Sequence, residues 1–219
     1  MKVHPDVKAK VESNKWFYSD TVKDHFFNPR NFLRTQEEAE KYAKECNGTG
    51  QVGSPSCGDM MKMWLKIDSK SERIKECKWQ TFGCASAIGS TSMLSVILTE
   101  NGGMKINDAL KIKPQDIVER LEGLPQRKFH CSVLGDKALR EAVNDYFRRT
   151  NQNEKVVVDG AKIIDKIMKV TDKDIEEAVL EGARTIEDVQ KKTKVGIKDK
   201  SCLTEVEDLV RFYTEKYFG

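Results

Sequence analysis

The chain has 219 residues, of which 38% are hydrophobic and 33% charged, so it can bury a core beneath a densely charged surface and does not have the composition of wholesale disorder. Its 38 basic and 35 acidic residues nearly cancel, leaving +3, which removes any compositional case for nucleic-acid binding. No apolar run approaches the roughly 20 residues a membrane helix needs. The opening "MKVHPDVKAKVESNKW" lacks an apolar signal core and carries Asp6 and Glu12, so a cytoplasmic protein with no membrane association is expected.

After a 1–16 extension, residues 18–28 are predicted as a short helix. Ser19 or Asp20 caps it, Val22, Phe26 and Phe27 are apolar, and Pro29 stops it. Residues 36–46 read as a second, charged helix ended by "NGTG". "QVGSP" reads as a brief strand before the loop "SPSCGD". "MMKMWLKID" and "RIKECKWQTFG", joined by "SKSE", form a predicted β-hairpin with Cys77, Trp79 and Thr81 on one face and Ile74, Glu76 and Lys78 on the other. Residues 84–100 suit a buried helix terminated by "NGG". "PQDIVERLEGLP" is a short helix opened by Pro114 and closed by Gly123.

Apolar residues at 133, 134, 138, 139, 142, 143, 146 and 147 predict an amphipathic helix beginning at Cys131. The order implies an α+β domain, a small antiparallel sheet packed by helices, over 17–150. Residues 151–160 read as a linker with a strand-like run. Residues 161–219 read as a small helical domain whose first two helices start on Thr171 with Asp174 and Thr185 with Asp188, both capping-box-like.

The six cysteines are Cys46, Cys57, Cys77, Cys84, Cys131 and Cys202, with no C-x-x-C pair, so a metal site must be assembled from distant segments. A cysteine is most often a small buried hydrophobe, which is the expectation for Cys46, Cys77 and Cys202. Cys57 lies in a turn-rich loop, whereas Cys84 and Cys131 stand at predicted helix starts, where partial positive charge favours thiolate. Asp59 adds an oxygen and His130 a nitrogen, giving a four-coordinate set suited to zinc or an iron–sulfur cluster. Spacing alone leaves core packing and chemistry evenly balanced for these three thiols.

The segments "YSDTVKDHFFNPRN", "GTGQVGSPSCGD", "WQTFGCASAIGSTS" and "LPQRKFHCSVLGDKALREAV" closely resemble the IscU/NifU family of iron–sulfur cluster assembly scaffolds, over roughly residues 17–150. The resemblance implies that three cysteines meet at one exposed end of the fold. It implies a scaffold or carrier rather than an enzyme. Such a protein takes persulfide sulfur from a cysteine desulfurase, adds iron, and passes a transient [2Fe-2S] cluster to apo iron–sulfur proteins. Cys57, Asp59, Cys84 and Cys131 match the family's cluster ligands, and Cys131 its persulfide acceptor. His130 matches an alternative ligand used when zinc occupies the site. Lys128 matches the basic residue of the preceding motif and Tyr18 an N-terminal tyrosine.

The resemblance also brings an electron donor, a chaperone and a homodimer into consideration. "LPQRK" keeps Leu124, Pro125 and Lys128 of the Leu-Pro-Pro-Val-Lys sequence that a chaperone reads, but departs from it at Gln126 and Arg127. The charged segment 34–47 is longer than usual for the family. The competing reading is a SufU-like, zinc-bound sulfurtransferase that accepts persulfide without building a cluster; His130 beside Cys131 sides with IscU/NifU. A third reading is a degenerate protein whose thiols bind no metal.

Within 161–219, "VTDKDIEEAVLEGARTIEDVQKKTKVG" is similar to the small helical [2Fe-2S] domain of NifU and of bacterioferritin-associated ferredoxin. The positions matching that domain's four cysteines are Asp165, Ile167, Asp199 and Cys202. With one thiol left and an isoleucine that cannot ligate, a fold retained without its cluster is expected.

Overall fold

The computed structural model describes residues 18–53, 59–125, 128, 130–156 and 161–218, with the backbone alone described at His130 and Cys131. The chain opens with α1, Asp20–Phe27, where the Ser19 hydroxyl accepts from the Val22 N–H at 3.1 Å. Helix α2, Gln36–Ala43, is nucleated by a full capping box between Thr35 and Glu38. Strands β1 (Gly48–Gly53), β2 (Met60–Asp68), β3 (Arg73–Phe82) and β4 (Met104–Lys105) form one antiparallel sheet in sequential order.

The β2–β3 hairpin follows the predicted alternation at Cys77, Trp79 and Thr81, all buried, but Ile74 is also fully buried. A register shift between Lys66 and Ile67 moves Ile74 onto the core face, because a bulge reverses side-chain parity beyond it. Trp79 anchors the hairpin. It is fully buried, its Nε1–H donates to the Arg30 carbonyl at 2.9 Å, and the Phe32 ring lies 4.8 Å away.

Helix α3, Ala85–Thr99, is buried on nearly every side. Its serines are tolerable there because their hydroxyls are satisfied: Ser90 donates to the Ser86 carbonyl at 2.7 Å, and Ser92 pairs with His25 Nδ1 at 2.8 Å. A short α4, Ile106–Ala109, and α5, Pro114–Arg120, lead to α6, His130–Arg149, which lies across the sheet. All eight apolar positions predicted on α6 from 133 to 147 are buried.

The remaining described residues form a helical module: a two-stranded ribbon, β5 (Ile163–Asp165) and β6 (Val170–Thr171), followed by α7 (Asp172–Leu180), α8 (Ile186–Thr193) and α9 (Leu203–Phe218). The ribbon is too short to show in the sequence pattern. The module packs on the scaffold. Val133 of α6 belongs to its apolar core, and Lys137 of α6 reaches Glu176 of α7 at 3.4 Å. Glu176 is buried and also meets Lys216 at 3.2 Å, Lys173 at 3.6 Å and the Tyr217 hydroxyl at 2.5 Å. No helix of the described residues is long and apolar enough to cross a membrane.

Candidate functional site

Three elements converge at one end of the sheet. Gly53, Met60 and Phe82 are paired in register across β1, β2 and β3, so Asp59 precedes this row and Cys84 follows it by two residues. Helix α6 arrives at the same end. A Cβ on Gly48 would fall 2.6 Å from the Ala142 carbonyl oxygen, and one on Gly50 would fall 2.2 Å from that of Ala138, so α6 runs antiparallel to β1. At about 3.4 Å per strand residue and 1.5 Å per helical residue, Gly53 lies level with the first turn of α6, which begins at His130 and Cys131.

Asp59 is buried, and its Oδ2 accepts the Cys84 N–H at 3.3 Å. Cys84 is half-buried and is the N-cap of α3 through its backbone, with its carbonyl accepting the Ile88 N–H at 3.0 Å. The carboxylate therefore occupies the electropositive start of a helix beside a candidate thiolate. Gly83 makes room for it, since a Cβ there would stand 3.1 Å from both Asp59 Cγ and Oδ2. Thr81 braces the other side by donating to the Met60 carbonyl at 2.5 Å. The sequence pattern gives Gly83 no role and places Thr81 only on a face of the hairpin, although both lie in the motif around Cys84. Met60 and Phe82 leave an exposed apolar rim, with Phe82 73% exposed.

Tyr18 hydrogen-bonds Ser86 at 2.9 Å and so ties the chain before α1 to the first turn of α3. Lys128 is half-buried, and its N–H donates to the Pro125 carbonyl at 2.7 Å. Cys57 lies outside the described residues, as do the side chains of His130 and Cys131; among the described residues, Asp59 and Cys84 are the predicted ligands brought into contact. Cys46, Cys77 and Cys202 are buried, as expected, and burial pushes the Cys77 thiol up to about 12.

In the helical module, Asp165 is buried and its carboxylate accepts three backbone N–H groups: Met168 at 2.8 Å, Gly196 at 2.9 Å and Ile167 at 2.9 Å. These bonds hold its pKa below the usual carboxylate value. Burial, with the Asp165 charge adding to it, raises that of the Cys202 thiol. Of the other two matching positions, Ile167 is exposed and Asp199 caps its own turn by accepting the Ser201 N–H.

The family profile described as "NifU-like N terminal domain" matches residues 17–153, and that described as "BFD-like [2Fe-2S] binding domain" matches residues 168–211. The chain is 43% identical over 139 residues to "Iron-sulfur cluster assembly scaffold protein IscU 1" of Archaeoglobus fulgidus, covering 64% of this chain and 82% of that one. It is 39% identical over 137 residues to the IscU scaffold of Aquifex aeolicus, covering 63% and 80%. Against "Nitrogen fixation protein NifU" of Nostoc it is 40% identical over 131 residues, covering 60% of this chain and 42% of that longer protein. With the first of these profiles spanning more than half its length, the chain belongs to the NifU-like N terminal domain family, that of the IscU/NifU scaffolds of iron–sulfur cluster assembly.

Proposed function

We propose that this protein is a cytoplasmic scaffold that takes sulfur from a cysteine desulfurase, binds iron, builds a [2Fe-2S] cluster as transient cargo, with an electron donor reducing the persulfide sulfur to sulfide, and releases the cluster to apo-proteins. The observation that supports this most is the buried Asp59 carboxylate held on the Cys84 N–H, at the end of the sheet where α6 also begins. In this reading Cys57, Asp59, Cys84 and Cys131 hold the cargo, and His130 is a reserve ligand. Cys131 is the persulfide acceptor. Its thiolate attacks the outer sulfur of the desulfurase persulfide, forming a new S–S bond while the desulfurase thiolate leaves. Residues 17–150 are the scaffold domain, and 161–219 a module joined through 151–160.

A donor set of three thiolates and one carboxylate suits a cluster that must leave. The harder oxygen binds iron less firmly than a fourth thiolate would. Asp59→Ala is accordingly expected to lengthen the life of the visible cluster spectrum several-fold; decay at the parent rate would remove Asp59 from control of release. The helical module fits a fold that persists without a cluster, because the buried Asp165 carboxylate supplies an acceptor to three N–H groups, including the buried one of Gly196.

The second reading is a zinc-bound sulfurtransferase that accepts persulfide and builds nothing, since three thiolates with one oxygen or nitrogen donor also suit zinc. Metal analysis separates the two. Protein purified without oxygen is expected to carry iron and acid-labile sulfide, whereas zinc alone would replace the scaffold reading with the second.

A further inference from the structure

The sequence at the start of α6 does little to hold a helix there. "KFHCSV" offers no Ser, Thr, Asp or Asn before His130 to cap it, and the first turn has no acidic residue to meet the helix dipole. A helix end of this kind frays unless tertiary packing holds it. Yet Ser132, Val133 and Leu134 are all buried.

Two bodies close on this turn. Leu134 belongs to the apolar core of the scaffold, as do Ala138, Leu139, Ala142 and Val143 further along. Val133 belongs instead to the core of the helical module, and among the described residues it is the one residue of α6 that does. Lys137 follows one turn later on the same face, and its ammonium reaches Glu176 of α7 at 3.4 Å. Helix α5 meets α9 beside them, and Val118 packs against the module's core. Further along, a cavity of about 390 Å³ is lined by Arg140, Asn144 and Arg148 of α6 and by Lys173 and Lys216 of the module. The module's apolar hold on α6 therefore falls at the start of the helix, two residues after Cys131.

We infer that the helical module is a clamp on the first turn of α6, holding the backbone of His130 and Cys131 in helical form through the positioning residue Val133. Loosening the module frees these two residues while the sheet keeps Asp59 and Cys84 in place. The module thus acts on sulfur transfer without a cluster of its own. The consequence for sulfur transfer rests on Cys131 being the persulfide acceptor; the hold on the helix does not.

Hydrogen exchange of the full chain tests the clamp at the amides of Leu134, Gly135, Asp136 and Lys137, which close the first turn of an α-helix that begins at His130. Val133→Ala is expected to speed their exchange roughly tenfold or more. Glu176→Gln, which weakens the hold from the module's side, should do so several-fold. The amides of β2 and β3 should exchange as in the parent in both variants. With a persulfide-loaded cysteine desulfurase, both variants should gain sulfur on Cys131 several-fold more slowly than the parent, read by mass spectrometry of the peptide that carries it. First-turn exchange at the parent rate in Val133→Ala, an equal rise throughout β2 and β3, or a rise in Val133→Ala with none in Glu176→Gln would each overturn the clamp. Parent-rate loading in variants whose first turn exchanges faster would overturn its coupling to sulfur transfer. A parent that gains no sulfur on Cys131 would remove the acceptor assignment instead, with the exchange rates still deciding the clamp.

Discussion

Replacing Glu176 with alanine is expected to cost about 3 kcal/mol at neutral pH, because it removes a buried carboxylate that three partly exposed lysines share. Lys137, Lys173 and Lys216 would face one another, and the Tyr217 hydroxyl would lose its acceptor. Loss of the Lys137 contact also loosens the module from α6. Thermal melts should show the drop, and hydrogen exchange should place it in α7, α9 and the facing part of α6. An unchanged melting midpoint would show that the cluster contributes nothing net.

Acid provides a second view of the same group. Burial alone would raise the Glu176 pKa, but Lys137, the Tyr217 hydroxyl, Lys216 and Lys173 outweigh it and bring it from 4.5 to about 2. The folded value is depressed, so this contribution is complete above the unfolded value near 4.5 and is lost as pH falls toward 2. A shift of that size corresponds to about 3 kcal/mol. The parent should lose this increment of stability across that window, and Glu176→Gln should show a shallower acid dependence.

Gly50→Val carries the other large effect. Even a Cβ there would sit 2.2 Å from the Ala138 carbonyl oxygen and 2.5 Å from the Ala142 nitrogen, both backbone atoms of α6. No rotamer relieves a clash with backbone, so the helix must move off β1. Overpacking of this kind costs about 3 kcal/mol, or roughly 6–12 °C in melting temperature for a chain of this size. The displacement also carries the start of α6, and with it His130 and Cys131, away from Asp59. Cluster formation should fall even at temperatures where the variant remains folded. Formation at the parent rate in folded protein would separate the register of α6 from the site.

The elements easiest to read in the sequence were those governed by a single periodicity. Helix α6 is the clearest case, since one apolar stripe fills the face on the sheet. The same stripe hid a division, because Val133 serves the module's core and its neighbours the scaffold's. Strand β3 broke its pattern at Ile74, where an extra residue of β3, Lys75, bulges out of the pairing with β2 and reverses the faces, and nothing local in "RIKEC" announces that.

The site was legible only in part. Single cysteines carry weak information, and their reading rested on the motifs around them; Gly83 is needed for space that only the folded chain reveals. Glu176 reads as one more acid on a helix until the docking of α7 and α9 on α6 surrounds it with three lysines and a tyrosine.

The claim that Cys57, Cys84 and Cys131 hold the cargo is tested most directly by anaerobic reconstitution with a cysteine desulfurase, iron and cysteine, followed by visible absorption. The parent is predicted to develop a [2Fe-2S] spectrum, and Cys57→Ser, Cys84→Ser and Cys131→Ser are each predicted to lose it. The same cluster forming in all three variants would contradict the assignment of these residues as its ligands.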